Sequence, residues 1–146
     1  EKWFNMMKNK LGLIGDHKED NMLIYELLEI MKKQELDYTN TFLFLMEHEI
    51  DDKKNYQNKE FVNWKIKWQK RLSKDSDKLM KLNNPVIIPR NHNVENVLKL
   101  AENNDLTPFN DLLQALKNPY TNQKVLNKYQ SPPPKSDEKY QTFCGT

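Results

Sequence analysis

With 146 residues, 23 basic and 21 acidic side chains, the chain carries a formal net charge of +2, a near balance that excludes a partnership driven by bulk charge, such as with duplex DNA or an anionic membrane. An apolar share of 37% against 30% charged residues supports one modest core. No apolar run approaches the roughly 20 residues of a spanning helix, and a single cysteine, Cys144, excludes an internal disulfide.

Trp3, Met6, Met7 and Leu11 recur at three- to four-residue spacing, and Gly12 follows where a helix end favours positive φ, so the first helix is expected over residues 2–11. A second runs from Asp20 through Met22, Leu23, Leu27, Leu28 and Met31 to Lys32-Lys33, with acidic residues at its start and lysines at its end, as the helix dipole favours. Asp37 or Thr39 is placed to cap a third, carrying Phe42, Leu43, Leu45 and Met46. The charged run from Glu47 to Lys54 then reads as a solvated loop. Phe61, Trp64, Trp68 and Leu72 form one stripe of a fourth helix, continuing through Leu79-Met80 as far as Asn83-Asn84-Pro85.

Val86-Ile87-Ile88 lies between Pro85 and Pro89 and is expected to cross the body in extended form. Asn93 reads as the cap of a helix carrying Val94, Val97, Leu98 and Ala101. Thr107 with Pro108 opens another, with Phe109, Leu112, Leu113 and Leu116. Asn118-Pro119 stops it, and the remainder, with Pro132-Pro133-Pro134, reads as extended and polyproline-like. The expected fold is all-α: a single domain of about six helices over residues 1–130, followed by an extended tail over 131–146.

Several constellations invite a chemical reading. Arg90-Asn91-His92 precedes a helix N-terminus, where a guanidinium and backbone amides suit a carboxylate or phosphate; the structural reading has Arg90 satisfying a neighbouring helix end. Glu47-His48-Glu49 joins two carboxylates to an imidazole, but adjacent helical residues point apart and do not converge on a metal ion. The Trp64/Trp68 stripe is surrounded by lysines, within a segment 51–81 of ten basic and five acidic residues, so a stacking platform for single-stranded nucleic acid is the alternative to burial in the core. The three glycines, Gly12, Gly15 and Gly145, make no phosphate-cradling loop. Cys144, two residues from the terminus, is either an incidental thiol or one whose accessibility suits disulfide exchange. The opening Glu1-Lys2-Trp3-Phe4, without an initiator methionine or a secretory signal, suggests part of a longer polypeptide in a reducing, cytoplasmic compartment.

These residues carry a resemblance. Lys10-Leu11-Gly12-Leu13, Leu27-Leu28-Glu29-Ile30-Met31, Asp37-Tyr38-Thr39 with Phe42 and Leu45, Trp64 with Arg71-Leu72, Met80 with Asn84-Pro85, Pro89-Arg90-Asn91-His92 with Val94-Glu95, and the closing Thr142-Phe143-Cys144-Gly145-Thr146 together resemble the C-terminal portion of the YdiU/selenoprotein O family. The resemblance implies a parent protein adenylyltransferase with a kinase-like fold, which moves AMP from ATP onto hydroxyl side chains of target proteins with Mg²⁺. It implies that the nucleotide- and metal-binding residues precede residue 1, so these 146 residues hold no catalytic residue, metal ligand or cofactor of their own. Cys144 would correspond to a redox-active cysteine or selenocysteine pairing with a cysteine of the kinase-like core. The implied partners are that core and the parent's protein substrates, with no membrane and no nucleic acid. A reading from another class is a free-standing helical module that binds nucleic acid or protein through the basic Trp64/Trp68 face.

Overall fold

The computed structural model describes residues 1–48, 50, 53–121 and 127–133. Among them are eight α-helices, one 3-10 helix and no strand: α1 Lys2–Lys10, α2 Asp20–Lys33, α3 Tyr38–Leu45, the 3-10 turn Lys53–Tyr56, α4 Lys59–Arg71, α5 Ser76–Asn83, α6 Asn91–Glu102, α7 Thr107–Lys117 and α8 Asn127–Gln130. The all-α expectation holds. No helix among the described residues is long and apolar enough to cross a membrane.

Two apolar clusters organise these helices. The larger gathers Met7, Leu11, Ile24, Leu27, Phe42, Leu43, Phe61, Trp64 and Trp68 from α1 to α4, with Met80 of α5. The smaller joins Ile87, Val97, Leu112, Ala115 and Tyr129, where α6 packs on α7 and α8 closes one side. Consecutive residues of the interproline segment serve both: Val86 belongs to the first cluster and Ile87 to the second. Their N–H groups both donate to the Pro119 carbonyl, at 2.6 and 3.3 Å. Without helical partners of its own, the crossing segment thus has these two amides satisfied by the turn that follows α7.

The predicted fourth helix is two helices. Leu72 adopts extended backbone, ψ 151, and the chain restarts at Ser76, turning α5 back onto α1. The Ser76 hydroxyl accepts from Ser73 N at 2.9 Å and donates to Gly12 O at 2.6 Å, so the break itself is hydrogen-bonded. Asn93 is not a cap: α6 begins at Asn91, after Pro89 and an extended Arg90, and Asn93 Nδ2 instead donates to Tyr129 O at 3.2 Å. Asp37, not Thr39, caps α3, accepting from Asn40 N at 2.8 Å. Thr107 lies inside α7 rather than at its cap. Within the stretch read as extended after Pro119, α8 forms and buries Tyr129 and Gln130, and Gln130 Nε2 donates to Val86 O at 3.2 Å.

Four helices end in left-handed residues: Gly12 (φ 68), Glu35 (φ 51), Glu47 (φ 61) and Asn104 (φ 66). Each is followed by the six-to-one return bond of a Schellman motif, from Leu13 N to Lys8 O, Leu36 N to Met31 O, His48 N to Leu43 O and Asp105 N to Leu100 O. Only Gly12 meets this demand without a side chain, and there a Cβ would lie 2.9 Å from both Ser76 O and Met80 Cγ. Gly12→Ala should therefore cost roughly 1–3 kcal/mol through strain and crowding, whereas Glu47→Gly, at an exposed position, should gain up to about 1 kcal/mol by relieving left-handed strain. Urea denaturation of the two variants checks both the opposite signs and the magnitudes.

Candidate functional site

Of the sequence-selected residues, Arg90 is the one the fold places most tightly. Pro89 and the start of α6 hold it at the crossing, 8% exposed, and its guanidinium forks onto Asp37: Nη1 to Oδ2 and Nη2 to Oδ1, both at 2.8 Å. Nη2 also donates to Asn40 Oδ1 at 3.1 Å. Asp37 simultaneously caps α3, so one carboxylate joins a helix N-terminus to the crossing segment. Arg90 thus reaches the beginning of a neighbouring helix, where the sequence reading had it satisfying orphan carbonyls at an end.

Asn91 is exposed at the first position of α6 and His92 is partly buried beside it. Burial, and then the Arg90 charge, hold the His92 imidazole below its ordinary pKa. His48 is displaced the same way, by burial first and then by Lys81, with Asp77 opposing. Its neighbour Glu49, and Cys144, lie outside the described residues. Among the described residues, no three His, Cys, Asp or Glu side chains converge as metal ligands would.

Trp64 and Trp68 are interior, 1% and 2% exposed, stacked at 5.9 Å between ring centroids. Both indole N–H groups are occupied: Trp64 Nε1 donates to Leu23 O at 2.9 Å and Trp68 Nε1 to Leu11 O at 2.8 Å. This overturns the stacking-platform reading of that stripe, because a base cannot reach either ring. The lysines around it serve other contacts, Lys67 pairing with Glu26 at 3.0 Å and Lys65 lying 4.7 Å over the Phe44 ring.

Sequence reasoning missed a buried carboxylate. Asp20, 2% exposed, takes Arg71 Nε at 2.7 Å and Nη2 at 3.1 Å, and accepts from His17 N at 3.2 Å. The same Nη2 donates to Ile14 O at 2.9 Å, pinning the α1–α2 connection to the end of α4. Arg71 stood out beside Trp64 in the resemblance, but nothing local marks its partner 51 positions away.

Two recesses among the described residues lie next to sequence-selected positions. One, about 660 Å³, is a groove between α2 and α4 floored by Ile30 and Trp64, whose rims are bridged by Lys33–Glu60 and Lys67–Glu26. The other, about 590 Å³, lies beside the Arg90–Asp37 pair, lined by Gln34, Asn40, Asn55, Tyr56, Pro132 and Pro133. Buried Asp20 and partly exposed Asp37 are each engaged by an arginine, and the left-handed Gly12 packs on α5 instead of opening a phosphate cradle.

Fold and site together define an all-helical domain in which two arginine–aspartate pairs join helices. The chain belongs to the family described as protein adenylyltransferase SelO, whose family model matches residues 1–117. It is 54% identical over 151 residues to the protein nucleotidyltransferase YdiU of Pelagibacter ubique, covering 99% of this chain and 31% of that protein. Against the YdiU proteins of Clostridium perfringens strain 13 and Alcanivorax borkumensis the identities are 47% over 150 and 44% over 153 residues, covering 99% and 100% of this chain and 31% and 32% of theirs. The chain therefore spans about a third of the length of the curated relatives it matches.

Two measurements test the site as described. Burial alone would raise the Asp37 carboxyl, but the Arg90 hydrogen bonds, the Asn40 amide and the Arg90 charge outweigh it, and its pKa is lowered. A depressed carboxylate contributes stability that is present above the unfolded-state value of about 3.9 and lost as pH falls through the lower folded-state value. Asp37→Asn should accordingly cost about 2–3 kcal/mol near neutral pH, discounted from a fully buried pair because the carboxylate is partly exposed, and should flatten the acid limb of stability against pH. Separately, acrylamide should quench Trp3, 42% exposed, while Trp64 and Trp68 stay protected, and single-stranded oligonucleotides should leave the emission of the buried pair unchanged.

Proposed function

We propose that this chain is the C-terminal helical region of a protein adenylyltransferase that moves AMP from ATP, with Mg²⁺, onto hydroxyl side chains of target proteins. In this reading it acts in the cytoplasm by supporting a kinase-like core in the rest of the polypeptide, and does not itself hold the nucleotide. Family membership and the relatives' description as protein nucleotidyltransferases support the reaction class. The observation that carries the supporting role is the use of the buried charges: Arg90 with Asp37 and Arg71 with Asp20 are each satisfied within the helical framework. A nucleotide site requires cationic groups and carboxylates aimed at an open cleft, where they stabilise charge on the transferred phosphoryl group, whereas these pairs commit their hydrogen bonds to each other.

Cys144 enters the proposal on sequence alone, as the thiol that pairs with a cysteine of the core and so makes the enzyme responsive to oxidants. A transfer assay with labelled ATP and Mg²⁺ separates the parts. The polypeptide of the relatives' full length, carrying these residues, should label protein hydroxyls; the 146-residue chain alone should not. Cys144→Ser should leave transfer under reducing conditions unchanged and remove its response to an oxidised dithiol. Metal-dependent labelling of a substrate by the 146-residue chain alone would overturn the supporting role.

A further inference from the structure

The aromatic residues of α1 and α2 divide into two populations. Phe4 is partly buried against the main cluster, but Trp3 and Tyr25 remain 42% and 55% exposed, and Met6 and Met22, one turn away on the same two helices, 45% and 50%. The rings are already grouped: Trp3 meets Phe4 at 5.0 Å, Phe4 meets Tyr25 edge-on at 5.5 Å, and Trp3 lies 6.2 Å from Tyr25. Trp3 Nε1 and the Tyr25 hydroxyl make no hydrogen bond within the described residues, whereas both interior indoles do. Trp, Tyr and Met presented together, with their polar ends unclaimed, match the composition of interface centres. Interfaces concentrate their binding energy in such anchors.

We infer that this Trp3–Met6–Met22–Tyr25 face is the seam against the portion of the longer polypeptide that precedes α1. The inference rests on the reading in "Proposed function" that such a portion exists, and two observations select this occupant. The relatives are about three times the length of the chain, which covers 31% of the first of them. Trp3 lies in the first turn of α1, which begins at Lys2, so a polypeptide entering α1 passes within one helical turn of the patch. A covalently attached partner then meets it at the high effective concentration of a short tether, and little further affinity is needed to close the contact. The exposed Leu106, just before α7, and Leu113 within it have no comparable link to the entering chain.

Hydroxyl-radical footprinting of the full-length polypeptide tests the seam without any substitution. After correction for intrinsic reactivity, Trp3, Met22 and Tyr25 should label severalfold more slowly than Leu82, which is 65% exposed in this domain. Labelling of all three at rates matching their exposure here would overturn the seam. As a second readout, the double variant Trp3→Lys/Tyr25→Lys in the full-length protein should be cleaved severalfold faster by protease just before α1, and unchanged cleavage would count against the contact. AMP transfer measured on the same preparation keeps the two readings apart: a protected patch in an inactive protein sinks the transfer reading alone, and an exposed patch in an active one sinks the seam alone.

Discussion

The end of α1 is the constraint on which the rest of the arrangement depends. A helix leaves its last carbonyls without intrahelical donors, and when that end is buried they must find partners elsewhere. Here the partners come from across the fold: Asn84 Nδ2 serves Lys10 O at 2.8 Å, Trp68 Nε1 serves Leu11 O at 2.8 Å, and Ser76 Oγ serves Gly12 O at 2.6 Å. Arg71 continues the series at Ile14 O. One short stretch of backbone therefore fixes the position of α4, the restart at α5 and the turn that follows it. Each bond is modest alone, but leaving any of these buried acceptors unmade costs about 1–3 kcal/mol.

From that end the chain reaches the second cluster through Asn84–Arg90. Asn84 is 1% exposed and divides its amide between Lys10 O and Met80 O; its Oδ1 and Arg90 Nε are buried without a partner among the described residues. Val86 and Ile87 then point into different cores, as successive side chains of an extended segment do. A helix here would set the two about 100° apart instead of on opposite faces. Pro85 and Pro89 prevent that, and the Arg90–Asp37 fork locks the far end of the crossing against α3. Arginine suits the position better than lysine because its planar fork matches the carboxylate in a fixed geometry.

Periodicity made α2 legible, and also the identity of the stripe in α4, because apolar spacing reports a buried face directly. It did not reveal the division between α4 and α5: Leu72-Ser73-Lys74-Asp75 contains neither glycine nor proline, and the break exists because Ser76 is needed at Gly12 O, a partner 64 residues away. The same limit applied to Arg90 and Arg71, each recognisable as a donor with nothing local to indicate its carboxylate. Asn93 misled for a related reason. An asparagine before an apolar run has the chemistry of a cap, but Pro89 already sets the helix start two residues earlier, which frees Asn93 for Tyr129 O.

The resemblance motifs bear on function once their positions are known. Gly12, Trp68's neighbour Arg71, Met80, Asn84 and Arg90 were singled out as sequence features, and the fold gathers the first four at the end of α1 and uses the fifth to hold the crossing. Residues that close helix ends and ion-pair internally have their polar groups committed, so they are poorly placed to bind a substrate and well placed to keep a surface rigid. Rigidity is what a contact surface requires: side chains already held by packing lose less freedom when a partner arrives. The internal chemistry of these helices and the unclaimed aromatic face of α1 and α2 are then two sides of one arrangement, in which the interior fixes the geometry that the exterior presents.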